Sequence, residues 1–303
     1  MAILVSNMQA NSVLGVEDGE RLSAGKTGGL ERSCAPQNDR IELATPWRGI
    51  ERIAAHFHGN GFSPHRHDTY AIGITLSGVQ TFRYRGSARF SLPGKVIVLH
   101  PDEVHDGAAG TDDGLIYRML YLPPDLISEA AGDTRRPLPF VADPVVSDPQ
   151  LRHALAELLE DLTQEPPDLL LDDALSGIVA GLQRHSSSWA KPLGTVAHRA
   201  VLRSKDYLDA HAPDAISSAD LEEVAGLDRY ELSRQFRRML GTSPHRYLVM
   251  RRLDRARLAL RAGAGLADAA LAAGFSDQPH FGRHFKKTYG MSPGRWLALV
   301  KGS

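Results

Sequence analysis

Residues 225–248 read AGLDRYELSRQFRRMLGTSPHRYL, and residues 273–297 read AGFSDQPHFGRHFKKTYGMSPGRWL. The two stretches are copies of one pattern. Gly226 and Gly274 lie 48 positions apart. After one extra residue in the turn, Leu232/Phe281, Arg234/Arg283, Phe236/Phe285, Gly241/Gly290, Ser243-Pro244/Ser292-Pro293 and Tyr247/Trp296 recur at an offset of 49. A match of this length means that one supersecondary unit occurs twice.

Each copy has the local logic of a helix-turn-helix. A short helix, DLEEVAG or LADAALAAG, ends at a glycine that adopts positive φ without a Cβ penalty. An apolar residue, Leu227 or Phe275, packs the turn. Asp228, with Glu231 three positions on, caps the second helix of copy one, and Ser276 is expected to cap that of copy two. Leu232 and Phe236, or Phe281 and Phe285, face the core at helical spacing. The intervening positions point outward: Tyr230, Ser233, Arg234 and Arg237 in the first copy, Gln278, His280, Arg283 and Lys286 in the second. Hydrogen-bonding and cationic side chains on an exposed helix are what major-groove reading uses. An ordinary solvated helix face carries the same residue types, and the duplication favours DNA.

Between the copies, PHRYLVMRRLDRARLALRAG starts with Pro244 after Ser243 and stops at Gly263. About 18 residues at 1.5 Å each give a rod of roughly 27 Å, of the order of the ~34 Å turn of B-DNA. Such a connector could set two recognition helices into successive major grooves. Its Arg251, Arg252, Arg255, Arg257 and Arg261 supply phosphate-type charge, or snorkel over the core.

The doubled unit, with Gly-Phe-Ser-Asp-Gln…Phe…Arg…Phe-Lys…Gly…Ser-Pro, resembles the DNA-binding domain of the AraC/XylS transcription regulators over about residues 198–300. The resemblance implies that outward residues of both second helices contact bases and phosphates: Tyr230, Ser233 and Arg234, then Gln278, His280 and Arg283. Pro279 and Gly282 depart from the family, which often has polar contact residues there. The second unit is therefore expected to serve mainly for backbone grip.

The chain has 303 residues, is 42% hydrophobic and carries a formal net charge of −1. That balance hides an asymmetry: residues 229–303 hold 15 Lys and Arg against 4 Asp and Glu, so a basic end is joined to an acidic one. The single cysteine, Cys34, excludes an intrachain disulfide. No apolar run reaches the ~18 residues of a membrane span, and the N-terminus has neither Lys nor Arg before its apolar residues, so a cytoplasmic protein is expected.

Upstream, TYAIGITLSG, QTFRYRG, ARFSLPG, KVIVLHPDE and LIYRMLYLP alternate or run apolar between turn residues, which predicts closely spaced strands of a sandwich or small barrel. PHRHDTYAIGITLSG is similar to the start of the cupin-like effector domains of the same family. His65, His67 and Tyr70 cluster there, and His105 follows. HxH with a further histidine about 40 residues on is the ligand spacing of metal cupins. The cupin glutamate is missing, since 70–73 read Tyr-Ala-Ile-Gly. A polar effector pocket is the favoured reading of His65, His67, Tyr70 and His105; a three-histidine metal site and structural histidines are the alternatives, and no cofactor is expected. Asp102 and Glu103 beside His105 are either effector contacts or solvated loop.

After Pro149, Leu151, Leu155, Leu158, Leu159 and Leu162 line one helix face, and Leu171, Leu175, Ile178, Val179 and Leu182 a second. These helices are expected to join two subunits, the alternative being that they pack on their own barrel. The expected architecture is α+β and multidomain: an irregular segment (1–45), a cupin-like β-barrel (46–145), helices (146–184), a linker (185–197) and an all-α domain with two helix-turn-helix units (198–303). The resemblance implies a ligand-responsive transcription regulator, of the activating kind by family habit, binding double-stranded DNA and a small-molecule effector as a homodimer, and contacting RNA polymerase if it activates. The rival is a metal-dependent cupin enzyme with an accessory helical domain. No nucleophile elbow, phosphate loop or CxxC motif supports catalysis.

Overall fold

A computed structural model describes residues 39–186 and 192–301. Ten strands come first: β1 (Arg40–Leu43), β2 (Glu51–Phe57), β3 (Asn60–His65), β4 (Tyr70–Ser77), β5 (Gln80–Tyr84), β6 (Ser87–Ser91), β7 (Val96–Leu99), β8 (His105–Ala109), β9 (Leu115–Leu122) and, after helix α1 (Pro124–Ala130), β10 (Val145–Val146). They form a six-stranded sheet, β1-β2-β9-β4-β7-β10, and a four-stranded sheet, β3-β8-β5-β6. All the pairings are antiparallel. Strand β1 begins inside the stretch expected to be irregular; residues 1–38 of that stretch lie outside the described residues.

The larger sheet is buried on both faces, which is why its strands read as nearly unbroken apolar runs. Side chains alternate with period two. Ala71, Ile97, Leu99, Tyr117 and Met119 therefore face the barrel interior. Tyr70, Ile72, Ile74, Val96, Val98, Leu120 and Leu122 face the other way, onto α2 (Pro149–Leu159) and α3 (Asp168–Arg184). The leucine stripes of α2 and α3 are spent in that same cluster, with Leu151, Leu155, Leu171, Ile178 and Leu182 all buried. The packing of these leucines on their own barrel thus replaces the subunit contact expected of them.

Two barrel arginines hold α2 in place. The guanidinium of Arg52 donates to the carbonyls of Leu158 (3.0 Å), Asp161 (2.8 Å) and Gln164 (2.6 Å), and that of Arg118 donates to Leu159 (2.6 Å) and Glu160 (2.9 Å). The carbonyls of Leu158, Leu159 and Glu160 are orphans of the α2 C-terminus, where cations are also favoured by the helix dipole, and those of Asp161 and Gln164 belong to the loop that follows. At the other end Asp148 caps α2, accepting from the backbone N–H of Gln150 and Leu151, and pairs with Arg184 at the end of α3.

The remaining helices are α4 (Thr195–Ala210), α5 (Ser218–Ala225), α6 (Arg229–Leu240), α7 (Pro244–Arg261), α8 (Leu266–Ala272), α9 (Gln278–Tyr289) and α10 (Pro293–Lys301). The duplicated unit is α5–α6 and again α8–α9, joined by the connector α7, whose cap is Ser243. The first unit has its own cluster around Leu232, Phe236 and Met239. The second does not. Phe281, Phe285 and Trp296 belong to one apolar cluster with Ile53, Phe57 and Met119 of the barrel, and the described residues from 39 on pack as a single unit.

Candidate functional site

The outer surfaces of α6 and α9 are set by their caps. Asp228 accepts from the backbone N–H of Tyr230 and Glu231, both at 3.0 Å. In the second copy the cap is Asp277 rather than Ser276: its carboxylate accepts from the backbone N–H of His280 at 2.6 Å, and Ser276 Oγ donates to that carboxylate at 3.2 Å. Asp277 is the last extended residue before α9, so its side chain is the one that reaches the free N–H groups.

All eight outward positions stand where the periodicity puts them. Tyr230, Arg234, Arg237, Gln278, Arg283 and Lys286 are exposed, and Ser233 and His280 half-buried. Arg234 pairs with Glu231, and Arg237 donates to Ser233 Oγ at 2.8 Å. Both are surface contacts of small worth, released readily to a phosphate or a base edge.

The arginines of α7 behave otherwise. Arg252 donates to the carbonyls of Ala212 and Asp214, both at 2.7 Å. Arg251 pairs with Asp68 of the barrel at 2.9 Å, and Arg257 makes a bidentate pair with Glu51. These three are therefore internal ties and not a phosphate-binding row, whereas Arg255 and Arg261 are exposed. The guanidinium of Arg257 also lies over the rings of Tyr289 (4.7 Å) and Trp296 (5.0 Å). Burial, the largest single influence, lowers its pKa, but Glu51, Tyr289 and Asp254 together hold it well above the ordinary value.

Those pairs wall a cavity of about 510 Å³ between the barrel and the C-terminal helices. Ile41, Ile53, Phe62, Met250, Leu258 and Trp296 make it largely apolar, and Glu51, Asp68, Tyr121, Arg251, Arg257 and Tyr289 place polar groups on its wall. Of the four residues expected in an effector pocket, His65 and His67 line it. His105 is next to them, with ring centroids 4.3 Å from His65 and 4.9 Å from His67, but does not reach the wall. Tyr70 is elsewhere. As the first residue of β4 it shares the outer parity of Ile72 and Ile74, so it faces the helix layer, and its hydroxyl donates to the Pro139 carbonyl at 2.7 Å.

The three imidazoles are fixed in one tautomer. Each Nδ1 faces a backbone carbonyl, Ser63 for His65 (2.9 Å), Thr69 for His67 (2.9 Å) and Glu103 for His105 (3.0 Å), and so must carry the proton. Burial pushes His67 down to about 3 and His105 to about 4, and burial with the neighbouring histidines pushes His65 well below its ordinary value. All three are neutral at pH 7, with Nε2 an acceptor. Among the described residues no group of three or more His, Cys, Asp or Glu side chains is arranged to hold a metal ion. Asp102 and Glu103 are held by arginines, Asp102 by Arg66 and Arg246 and Glu103 by Arg85.

Gly290 locks the second unit to this wall. Its φ is 68°, and a Cβ there would stand 2.7 Å from the Ser63 carbonyl oxygen and 2.9 Å from His65 Nδ1. The backbone N–H of Ser63 donates to the Gly290 carbonyl (2.9 Å), and that of Arg66 to the Lys287 carbonyl (3.1 Å). Sequence reasoning found the histidines but missed Glu51, Asp68, Tyr121, Arg257, Tyr289 and Trp296. Nothing in one sequence ties Glu51 to a partner 206 residues away.

Residues 49–179 match the family model of the AraC-like ligand binding domain, and residues 221–298 that of a helix-turn-helix domain. The uncharacterized HTH-type transcriptional regulator YbfI of Bacillus subtilis is 27% identical over 223 residues, 72% of this chain and 81% of that protein. The HTH-type transcriptional activator RhaS of Escherichia coli is 27% identical over 242 residues, 77% of this chain and 86% of that protein. The crystal structure of ToxT from Vibrio cholerae superposes with a TM-score of 0.62 at 13% identity, covering 84% of this chain and 99% of that one. No described helix is long and apolar enough to cross a membrane. With a ligand-binding barrel ahead of two helix-turn-helix units, and relatives that are transcription regulators over most of their length, the chain belongs to the AraC family as a ligand-responsive, DNA-binding transcription regulator and not an enzyme.

Proposed function

We propose that the effector occupies the cavity between the barrel and α7, α9 and α10, and that it acts by changing how the second helix-turn-helix unit is held. The observation that carries this reading is the shared wall: a molecule there touches both the sensing and the DNA-binding part. The apolar lining calls for a largely apolar ligand. Among the described residues His67 Nε2 is buried without a hydrogen-bond partner, which fits it to accept a hydrogen bond from a ligand hydroxyl or N–H. ToxT, which shares the fold, has been crystallised with an unsaturated fatty acid and with a naphthyl-butenoic acid, both amphipathic molecules of this type.

The reading extends to base and phosphate contacts through Tyr230, Ser233, Arg234 and Arg237 and through Gln278, His280, Arg283 and Lys286, all on outer helix faces. It extends to transcription activation through RNA polymerase, supported by the activator RhaS. It further includes a cytoplasmic homodimer joined through the outer side of α3, where Leu169 is 75% exposed. A melting-temperature screen of amphipathic alcohols and acids against the full chain tests the cavity, since a ligand of the native state raises stability by mass action. The expected hit stabilises the wild-type protein, changes its operator affinity and loses its effect in His67→Phe. A hit with undiminished effect in that variant would move the effector elsewhere.

A further inference from the structure

The outer face of α9 carries a second histidine pair that the cavity does not involve. His280 and His284 are four residues apart, so they stand on one face, one turn apart. Their Nε2 atoms approach to 2.9 Å, with ring centroids 4.6 Å apart and the rings tilted by 72°. His280 is oriented from behind. Ser276 Oγ gives its proton to Asp277 and lies 3.1 Å from His280 Nδ1, so it accepts from that nitrogen. His280 Nε2 then carries a lone pair, and the contact is closed by a proton on His284 Nε2. A carboxylate and hydroxyl fixing the far nitrogen of an imidazole is the outer-shell arrangement of metal-ligating histidines.

We propose that His280 and His284 form a two-histidine site for a divalent transition-metal ion on the DNA-facing helix. Metal–imidazole bonds are about 2.0–2.1 Å long. Two nitrogens 2.9 Å apart meet such an ion at an angle of about 90°. That is the cis angle of square-planar and octahedral coordination, which suits Cu²⁺ and Ni²⁺ better than tetrahedral Zn²⁺. The ion takes the place of the shared proton. His284 shifts its proton from Nε2 to Nδ1, so both imidazoles stay neutral and no proton is released. Waters fill the remaining positions, since no third protein ligand is arranged there among the described residues. Lys287 and Arg246 act electrostatically on His284 and oppose a cation, while Asp277 favours it; the site is therefore a reversible one. Because His280 is one of the outward positions of the second unit, occupancy changes the surface offered to DNA.

The test is calorimetric titration of the full chain, stripped with a chelator, with Ni²⁺, beside His284→Asn, His280→Gln and His105→Asn. One ion per chain is expected at micromolar concentration. Its affinity should fall at least tenfold in His284→Asn and His280→Gln and stay unchanged in His105→Asn, with circular dichroism confirming that each variant is folded. A misfolded His284→Asn leaves His280→Gln to decide the matter. Failure of Ni²⁺ to bind below about 100 µM would overturn the proposal, and so would binding that survives both substitutions or disappears in His105→Asn.

Discussion

Glu51→Gln removes one charge from the pair that ties α7 to the barrel. Arg257 is 12% exposed and Glu51 26%, so the guanidinium would be left largely out of water. Breaking a buried ion pair by removing one partner costs about 3–5 kcal/mol. Here Asp254 remains 3.9 Å away and two aromatic rings still face the guanidinium, which places the loss near the low end, about 3 kcal/mol. For a unit of this size that is a fall of roughly 6–9 °C in melting temperature. The comparison variant is Glu51→Leu with Arg257→Met, in which neither charge is left alone; replacing a whole buried pair by apolar groups is often neutral. Thermal denaturation by circular dichroism on the full chain measures both. If Glu51→Gln melts within 1 °C of wild type, or the double variant loses as much as the single one, the pair does not secure the docked helices.

Further outcomes concern pH, docking and DNA. His65, His67 and His105, and the buried His100 just after β7, whose Nε2 accepts from the Val141 backbone N–H at 2.9 Å, have pKa values depressed by burial, so they are neutral in the fold while the unfolded chain takes up protons below about 6.5. Their contribution is intact above that pH and is lost as pH falls towards 3–4; between pH 7.5 and 5.5 the loss is about 1.3 kcal/mol per histidine, roughly 5 in all, and a flat melting temperature over that range would contradict it. Gly290→Ala should destabilise more than Gly226→Ala, because both have positive φ but a Cβ at 290 strikes the Ser63 carbonyl at 2.7 Å while one at 226 meets only Arg203 at 3.7 Å; equal melting curves would refute the docking contact. Arg234→Ala should relax preference at one base pair by about 1–3 kcal/mol, read by competition binding, whereas an even loss over all sequences would make it a phosphate contact.

The duplicated helix-turn-helix was legible from residue pattern alone because its determinants are local. Helical spacing put Leu232, Phe236, Phe281 and Phe285 inward, glycines ended the helices, and the outward residues followed from periodicity. The sole local error, Ser276 for Asp277, is a one-residue shift at a cap where two adjacent side chains compete for the same N–H groups. The strands were equally legible as period-two or apolar runs. Parity along β4, however, carried Tyr70 away from the histidines, because in a sheet buried on both faces an apolar run does not say which face is the barrel interior. What only tertiary structure decided lies between segments far apart in the chain. Whether Arg251 and Arg257 meet phosphate or Asp68 and Glu51, whether the leucines of α2 and α3 meet a second subunit or their own barrel, and where a cavity opens all depend on long-range docking. Charge and hydrophobicity are non-directional along a sequence: they state that a side chain needs a partner, and only the fold brings that partner within reach.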